Sequence, residues 1–435
     1  MPQFLLSTFS ADVTIPLNHR CMGVLPQKSK KIVNPLQAHG FVLYGAIEPI
    51  VVCAVDWCEI RNEAYDRWRE VLAKAAKTTA ERVLVSSLHQ HDAPVSDIGA
   101  GNLLSKVGLE GELFDFAFHE EAVQRTATAL KDGLENPQPV THIGTGQAKV
   151  EKVASNRRVV LEGGRVAFSR GSRSGGSAFH SKADDGLIDP WLKTLSFWNG
   201  KKPLTAMHAY ATHPMSYYGR GGVSYDFVGI ARERRRRDDQ SVHQIYVSGC
   251  SGDVTAGKYN DGAPANRQLL ANRLHVAMKQ AWKDTTQHPL KQADFRNTKL
   301  DLEFRRDDAY SMESLLKTLE NDKLDVRKRI LAAMALSSRN RINAGNNIDF
   351  PCVDLGAAQI VMFPGESFVG YQLMAQQMRP DSFVVSIGYG ECWPGYVPTK
   401  AAFADKFTDT WLWVAPGCEP RIRKALEQVL PEKSV

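Results

Sequence analysis

Two histidines separated by one residue are the sharpest chemical feature of the sequence. His89 and His91 directly follow a β-branched, apolar run at 81–88. If the backbone stays extended, side chains at i and i+2 project to the same side of the strand. Neutral imidazole nitrogens bind divalent transition metals, at about 2.0–2.1 Å in the case of zinc. The pair therefore indicates a metal site, and two neighbouring surface histidines are the alternative interpretation.

Two further residues with metal-binding side chains also stand at the ends of apolar runs. His213 follows the run 204–210, and Glu366 closes the segment Pro-Gly-Glu after the run 357–363. Clefts in α/β proteins open beyond the carboxyl ends of strands, which adds support for a functional role of His213; a core or turn residue, the more common role of a single histidine, is the alternative. Glu366 is interpreted as a metal ligand, as a general base, or as a carboxylate favoured by a helix amino terminus.

Two loops rich in glycine add candidate binding residues. The turn 248–257 contains Gly252 and Asp253, and its N–H groups are candidates for stabilising an anion. It lacks the Gly-Lys-Ser/Thr ending of a phosphate-binding P-loop, and a tight turn capped by Asp253 is the alternative. The loop 388–398 carries Tyr389 and Tyr396, for which ordinary aromatic packing is the alternative.

Alternating strand and helix patterns predict how these residues are positioned. A mixed α/β fold with several parallel strands follows from that alternation. We expect one domain over 1–435, with an irregular excursion at 150–185 and a helical insertion or cap at 307–340. The predicted strands are 40–56 (interrupted at 48–49), 81–88, 203–213, 243–250, 357–363 and 382–389, and the predicted helices are 59–77, 115–134, 264–284 and 366–378.

Composition restricts the class of protein. The 435 residues are 43% hydrophobic and 23% charged, which is typical of globular chains, and no run approaches the roughly 18 apolar residues of a membrane span. The net charge of +6 owes much to Arg234–Arg237, interpreted as the solvated end of a helix, so we expect no nucleic-acid binding. Seven cysteines without a CxxC pair predict buried thiols. The amino terminus lacks a signal-peptide pattern, so we expect a cytoplasmic protein.

The order of these motifs resembles the catalytic domain of the neutral/alkaline (non-lysosomal) ceramidase family, which are zinc-dependent amidases. The family segments Ser-x-Thr-His-Thr-His-Ser-Gly-Pro, His-Gly-Thr-Ser, Gly-Asp-Val-Ser-Pro-Asn, Pro-Gly-Glu and Tyr-Val-Thr-Thr are similar, in that order, to stretches 86–94, 213–216, 252–257, 364–366 and 396–399. Two weaker similarities lie at 11–16 and 156–157, so the resemblance extends over about residues 10–400.

The resemblance implies a site residue by residue. A zinc ion would be held by His89, His213, Glu366 and Tyr396, with His91 beside it as a proton shuttle. Thr255 stands where the family has a catalytic serine, and its added methyl group favours a role in positioning the substrate. The remaining candidates are Asp253 as a catalytic residue and Arg157, Tyr389 and Gly252 as substrate-binding residues.

The predicted function is zinc-dependent hydrolysis of a linear amide (N-acyl) bond by metal-activated water. Because the chain ends at Val435, we expect no immunoglobulin-like carboxyl-terminal domain, and together with the missing leader this indicates a small-molecule N-acyl substrate other than ceramide. Three alternatives stay open: an ester or phosphoester hydrolase that uses the turn near Asp253, a non-catalytic metal-stabilised binding protein, and structural histidines without a metal. The sequence does not define the oligomeric state.

Overall fold

Three β-sheets are each built from a separate stretch of the chain in the computed structural model, which describes residues 4–45 and 47–431. The first sheet has the strand order β4-β3-β2-β1-β5. Its strands are β1 (Phe4–Asp12), β2 (Gln37–Tyr44), β3 (Ile50–Val55), β4 (Val83–Ser87) and β5 (Gln138–Val140).

The second and third sheets follow in chain order. The second sheet has the order β9-β8-β7-β6-β10, and the third has the order β11-β12-β13-β14. The strands of the second sheet are β6 (His142–Lys149), β7 (Trp191–Asn199), β8 (Lys202–Tyr210), β9 (His243–Ser248) and β10 (Thr286–Pro289). Those of the third sheet are β11 (Asp294–Leu300), β12 (Ile348–Asp354), β13 (Ala358–Met362) and β14 (Phe383–Ile387).

Eleven α-helices occur in the described part of the chain. They are α1 (Asn62–Ala76), α2 (Ile98–Ser105), α3 (Phe116–Gly133), α4 (Ala178–Lys182), α5 (Asp226–Asp238), α6 (Ala265–Lys283), α7 (Met312–Glu320), α8 (Val326–Asn343), α9 (Val369–Met378), α10 (Lys400–Ala404) and α11 (Cys418–Val429). None of the described helices combines the length and the apolar character needed to cross a bilayer. The predicted mixed α/β fold is confirmed.

Each sheet contains one parallel strand pair joined by a helical crossover. The pairs are β3 with β4, β8 with β9, and β13 with β14, connected through α1, α5 and α9 respectively. All other pairings within the three sheets are antiparallel. Parallel strands are normally buried on both faces, and all residues of β3, β4 and β13 are indeed buried. Continuous burial explains why these strands read as unbroken apolar runs.

Two clusters of buried apolar side chains hold the sheets together. The larger cluster joins the first and second sheets, where the rings of Phe41 on β2 and Phe197 on β7 have centroids 5.1 Å apart. The smaller cluster lies between the third sheet and helices that include α8, α9 and α11. The seven cysteines are free thiols buried in these regions, as predicted.

Some predicted boundaries are wrong. The predicted helix 366–378 begins only at Val369, because Glu366 and Ser367 form a short strand. The segment 307–340 is helical as predicted and contains α7 and most of α8, which is largely buried; its status as an insertion stays a prediction. The predicted break at 48–49 is confirmed, because β2 ends at Tyr44 and β3 begins at Ile50.

Burial also corrects the interpretation of the arginine run as a solvated helix end. Arg236 and Arg237 are exposed, but Arg235 is buried and its guanidinium lies 5.6 Å from the centre of the Trp282 ring. Arg232, one turn earlier on α5, is fully buried and donates to both carboxylate oxygens of Asp56, at 2.7 and 2.8 Å. Arg232 and Arg235 therefore attach α5 to the core, and Arg236 and Arg237 face solvent.

We expect Arg232→Ala to lower the free energy of unfolding by about 3–5 kcal/mol, because it leaves the buried carboxylate of Asp56 without its partner. Denaturant unfolding followed by circular dichroism measures the difference. Arg236→Ala on the same helix is the matched control, since its contact with Glu233 is largely exposed and should change stability by less than about 1 kcal/mol. Equal losses in the two variants would contradict the argument.

Candidate metal centre

Three buried side chains, each of which follows a strand of a different sheet, lie close together. The Nε2 atom of His213 lies 2.8 Å from Oε2 of Glu366, and the Nε2 atom of His89 lies 3.3 Å from the same oxygen. Ligand atoms of the three residues all lie within 4.8 Å of one another. The structure thus brings together three of the four residues predicted to hold a metal.

The other ring nitrogens determine which tautomer each histidine adopts. Nδ1 of His89 lies 3.1 Å from the carbonyl oxygen of Cys58, and Nδ1 of His213 lies 2.6 Å from that of Ser251. A carbonyl oxygen only accepts hydrogen bonds, so both Nδ1 atoms carry the proton. In the neutral imidazoles, both Nε2 lone pairs consequently face the Glu366 carboxylate.

Such an arrangement of lone pairs and negative charge requires a cation or a proton between the groups. Burial tends to lower the pKa of His89, but the Glu366 carboxylate outweighs burial and raises it above the usual value. Burial lowers the pKa of His213 to about 4, and Arg157 acts in the same direction. Burial alone would raise the pKa of Glu366, yet the two histidines hold it well below its usual range. The three groups are therefore candidate ligands of one cation.

His89 reaches the cluster through a left-handed backbone conformation. Its φ of 70° is uncommon for a residue other than glycine, so the predicted extended geometry of His89 and His91 is wrong. The hydrogen bond from its N–H to the carbonyl of Trp57, at 2.9 Å, holds the turn after β4. The two imidazole rings nevertheless lie 5.1 Å apart, in a T-shaped arrangement. A turn therefore achieves the proximity that we predicted from strand geometry.

Glu366 is positioned by a short parallel pairing outside the main sheets. Residues 366–367 pair with 396–397, so that Glu366 lies opposite Tyr396. Gly252 packs so closely on this strand that a Cβ atom there would collide with the carbonyl oxygen of Glu366. The N–H of Gly252 also donates to the carbonyl of Ser367 at 3.0 Å. Gly252, predicted to bind substrate, therefore contacts the backbone that carries the carboxylate.

Tyr396, the fourth predicted ligand, is held by Arg157. The guanidinium of Arg157 donates to the Tyr396 hydroxyl at 2.9 Å and lies 5.3 Å from the centre of its ring. The Tyr396 ring is 6.4 Å from that of His213. Burial raises the pKa of Tyr396 strongly, and the positive charge of Arg157 opposes that increase. The phenol oxygen and the predicted substrate-binding arginine thus form one unit beside Glu366.

His91, the predicted proton shuttle, is buried beside the two histidine ligands. Its ring is 6.3 Å from that of His213, and within the described residues its Nδ1 atom has no hydrogen-bond partner. Burial lowers the pKa of His91 well below its usual value, and the charge of His89 contributes in the same direction. A neutral imidazole with a free nitrogen beside the donor set can accept a proton.

The glycine turn is arranged differently from an anion site. Asp253 accepts from the N–H of Val369 and from the side chain of Asn156, both at 2.8 Å, so its carboxylate fixes the start of α9. Neighbouring amides at 249, 250, 252 and 254 all donate within the protein. Thr255 is fully buried beside His213, and its hydroxyl has no partner within the described residues. Of the two predicted catalytic residues of the turn, Thr255 alone keeps an uncommitted polar atom.

Tyr389, predicted to bind substrate, supports His89, and its contact with a substrate stays a prediction. Its ring stacks on that imidazole with centroids 4.5 Å apart and an interplanar angle of 17°. The Tyr389 hydroxyl lies 2.7 Å from that of Ser251, whose carbonyl fixes His213. Tyr389 itself has a left-handed φ of 57°. Tyr389, just after β14, therefore contacts both His89 and Ser251, the residue whose carbonyl holds His213.

Sequence reasoning missed two neighbours of His89 that follow β3. An oxygen of Glu59 lies 3.9 Å from Nδ1 of His89, and this carboxylate is held by Arg61 at 2.8 Å and by the indole of Trp411 at 3.0 Å. Cys58 places its sulfur 3.8 Å from the same nitrogen, but burial raises the pKa of its thiol, which disfavours a metal-binding thiolate. Both residues follow β3, which pairs in parallel with β4, and this position in the sequence could have identified them as neighbours of His89.

Comparison with known proteins supports the fold. No protein-family model and no curated protein matches the sequence. Among solved structures, neutral ceramidase from Pseudomonas aeruginosa is similar with a TM-score of 0.71 and 14% identity, covering 99% of this chain and 74% of that one. A ceramidase complexed with C2 is similar with a TM-score of 0.69 and 15% identity, covering 98% and 74%. The predicted resemblance to neutral ceramidases is confirmed at the level of the fold.

We expect Gly252→Ala to shift the Glu366 carboxylate away from the two histidines, because the added methyl group would displace the strand that carries Glu366. Overpacking of this kind costs about 1–3 kcal/mol, and denaturant unfolding measures it; titration with zinc should show weaker binding. Gly176→Ala is the matched control, since a Cβ there meets only the Asp261 side chain at 3.7 Å. Unchanged zinc affinity in Gly252→Ala would contradict this account of the glycine.

Proposed function

We propose that the protein is a zinc-dependent hydrolase of linear N-acyl amides. The observation that supports this most strongly is that two imidazole lone pairs face one buried carboxylate oxygen. Two histidines and a glutamate are the ligand types of catalytic zinc sites, which keep a further position open. The similarity to ceramidase structures agrees with the choice of an amide as the scissile bond.

In this proposal, His89, His213 and Glu366 hold the zinc, and Tyr396 stands beside Glu366 as the fourth candidate ligand. A bound zinc ion would polarise the scissile carbonyl and lower the pKa of water. The backbone carbonyls of Cys58 and Ser251 keep both imidazoles in the ligating tautomer. Arg157 orients the phenol, and its Nε atom, which has no partner within the described residues, is available to a substrate oxygen.

Proton transfer falls to His91. Departure of an amine from a tetrahedral carbon requires a proton on nitrogen. A neutral His91 would take a proton from the attacking water and pass it to the amine, and a positioned imidazole contributes about 10²–10⁴-fold to such steps. His91 is next to the histidine ligands, and its Nδ1 has no competing partner in the described chain. In this proposal the hydroxyl of Thr255, which has no partner within the described residues, positions the substrate. The engaged carboxylate of Asp253 and the engaged amides of its turn argue against the phosphoester alternative.

Zinc reconstitution tests the ligand set. We expect the purified protein to bind about one equivalent of zinc and His213→Ala or Glu366→Gln to retain far less, because two donors make an incomplete shell. Elemental analysis after dialysis measures the bound metal. His142→Ala on β6 is the control, since the only side-chain hydrogen bond of that histidine within the described residues is with Thr141, at 2.8 Å, and its loss should leave zinc binding intact. Equal zinc content in all variants would refute the site.

The chemistry is tested separately with His91→Asn. We expect this variant to keep its zinc and to lower kcat on N-octanoyl ethanolamine by about 10²–10⁴-fold, with little change in KM, because the proton donor is lost. Release of octanoate measures the rate. A zinc-loaded wild-type protein that cleaves aryl esters but no N-acyl amine would reject amide hydrolysis while leaving the metal site in place.

A further inference from the structure

A cavity of about 600 Å³ opens beside His91. Tyr218 lines this cavity, and its ring centroid lies 4.9 Å from that of His91. His91 is in turn 5.1 Å from His89, ring to ring. Tyr218 therefore lies between the cavity and His91, which places the cavity on the His91 side of the candidate metal centre.

The cavity wall is basic and rich in hydroxyl groups. Arg173 and Arg220 line it, and among its described lining residues none is acidic. Its hydroxyl groups come from Tyr218, Ser169, Ser172 and Ser174. Arg173 is fixed with its guanidinium 4.7 Å from the centre of the Tyr218 ring, and it donates to the Tyr218 carbonyl at 2.6 Å. Arginine forks of this kind suit carboxylate, sulfonate and phosphate oxygens.

One carboxylate, that of Asp92, interacts with Arg173 in this wall. Asp92 accepts from the N–H of Gly219 at 2.9 Å and pairs with Arg267 at 3.7 Å, on the protein side of the cavity. Arg220 is exposed and forms no hydrogen bond or ion pair within the described residues. Its positive charge is therefore available to a ligand that enters the cavity.

We infer that the substrate carries an anionic group on its amine half, and that Arg220 and Arg173 bind this group in the cavity. The inference rests on the proposed function. His91 is the predicted donor of a proton to the leaving amine, so the cavity on its side receives the amine half. A separate cavity of about 480 Å³ is lined by Phe403 and Phe407, and the Phe407 ring lies 5.4 Å from that of Tyr396. Its two arginines, Arg305 and Arg306, are paired with Asp307 and Glu303 at 2.6 and 2.7 Å, so we assign the acyl chain to this cavity.

Two amides with the same acyl chain test the inference. The zinc-loaded protein is assayed with N-octanoyl taurine, whose sulfonate is always ionised, and with the neutral N-octanoyl ethanolamine. We expect kcat/KM to favour the taurine amide. Arg220→Gln should lower kcat/KM for it by about 10–100-fold, mainly through KM, with a much smaller loss on the neutral amide.

Three further variants sharpen the result. Arg220→Lys keeps the charge and should recover part of the loss, and Arg220→Glu should turn the preference towards the cationic N-octanoyl putrescine. Arg423→Gln is the matched control, because Arg423 is also exposed and has no partner within the described residues but lies on α11. Equal effects of Arg220→Gln on both amides, or no preference in the wild-type protein, would overturn the inference and leave the amidase proposal standing.

Binding provides a readout that does not depend on turnover. 2-(Octyloxy)ethanesulfonate and 2-(octyloxy)ethanol lack both the scissile carbonyl and a basic nitrogen, so one is an anion and the other is neutral, and calorimetric titration of each into the zinc-loaded protein measures the preference directly. We expect tighter binding of the sulfonate in the wild-type protein and loss of this preference in Arg220→Glu. If no amide is cleaved, the proposed function fails; if the sulfonate has no advantage in binding, the anionic subsite fails.

Discussion

One carboxylate oxygen facing two imidazole nitrogens is the constraint on which the rest of the site depends. Oε2 of Glu366 lies within 3.3 Å of both Nε2 atoms, and each opposite Nδ1 is committed to a backbone carbonyl. Burying an uncompensated charge is costly, so this arrangement is stable only with a cation or a proton in its midst. The close packing of Gly252 and the stacking of Tyr389 can be understood as supports for this contact.

The three β-α-β units explain how distant parts of the chain supply the site. Each unit places residues just beyond the carboxyl ends of its two parallel strands: Glu59 and His89 in the first sheet, His213 and the glycine turn in the second, and Glu366 and Tyr389 in the third. Ligand sites in open α/β sheets lie at such strand ends. Here the strand ends of three sheets, rather than of one, converge.

Sequence reasoning was most successful where the signal was local. Apolar runs predicted the parallel strands, and residues at their ends supplied His89, His213 and Glu366. The interactions that it missed depend on long-range pairing: Arg157 reaches the Tyr396 hydroxyl across 239 positions, and Glu59 nears His89 only because β3 lies beside β4. The left-handed turn at His89 was also missed, since nothing in the residue type requires it.

The wide spacing of the donors along the chain has a consequence for biogenesis. His213 and Glu366 are separated by 153 positions, and the polypeptide leaves the ribosome amino terminus first. The first two sheets are fully translated while the carboxylate is still to be made, and two imidazoles alone form an incomplete coordination shell. If the protein binds zinc as proposed, metal capture would therefore follow the synthesis of Glu366 and belong to a late stage of maturation.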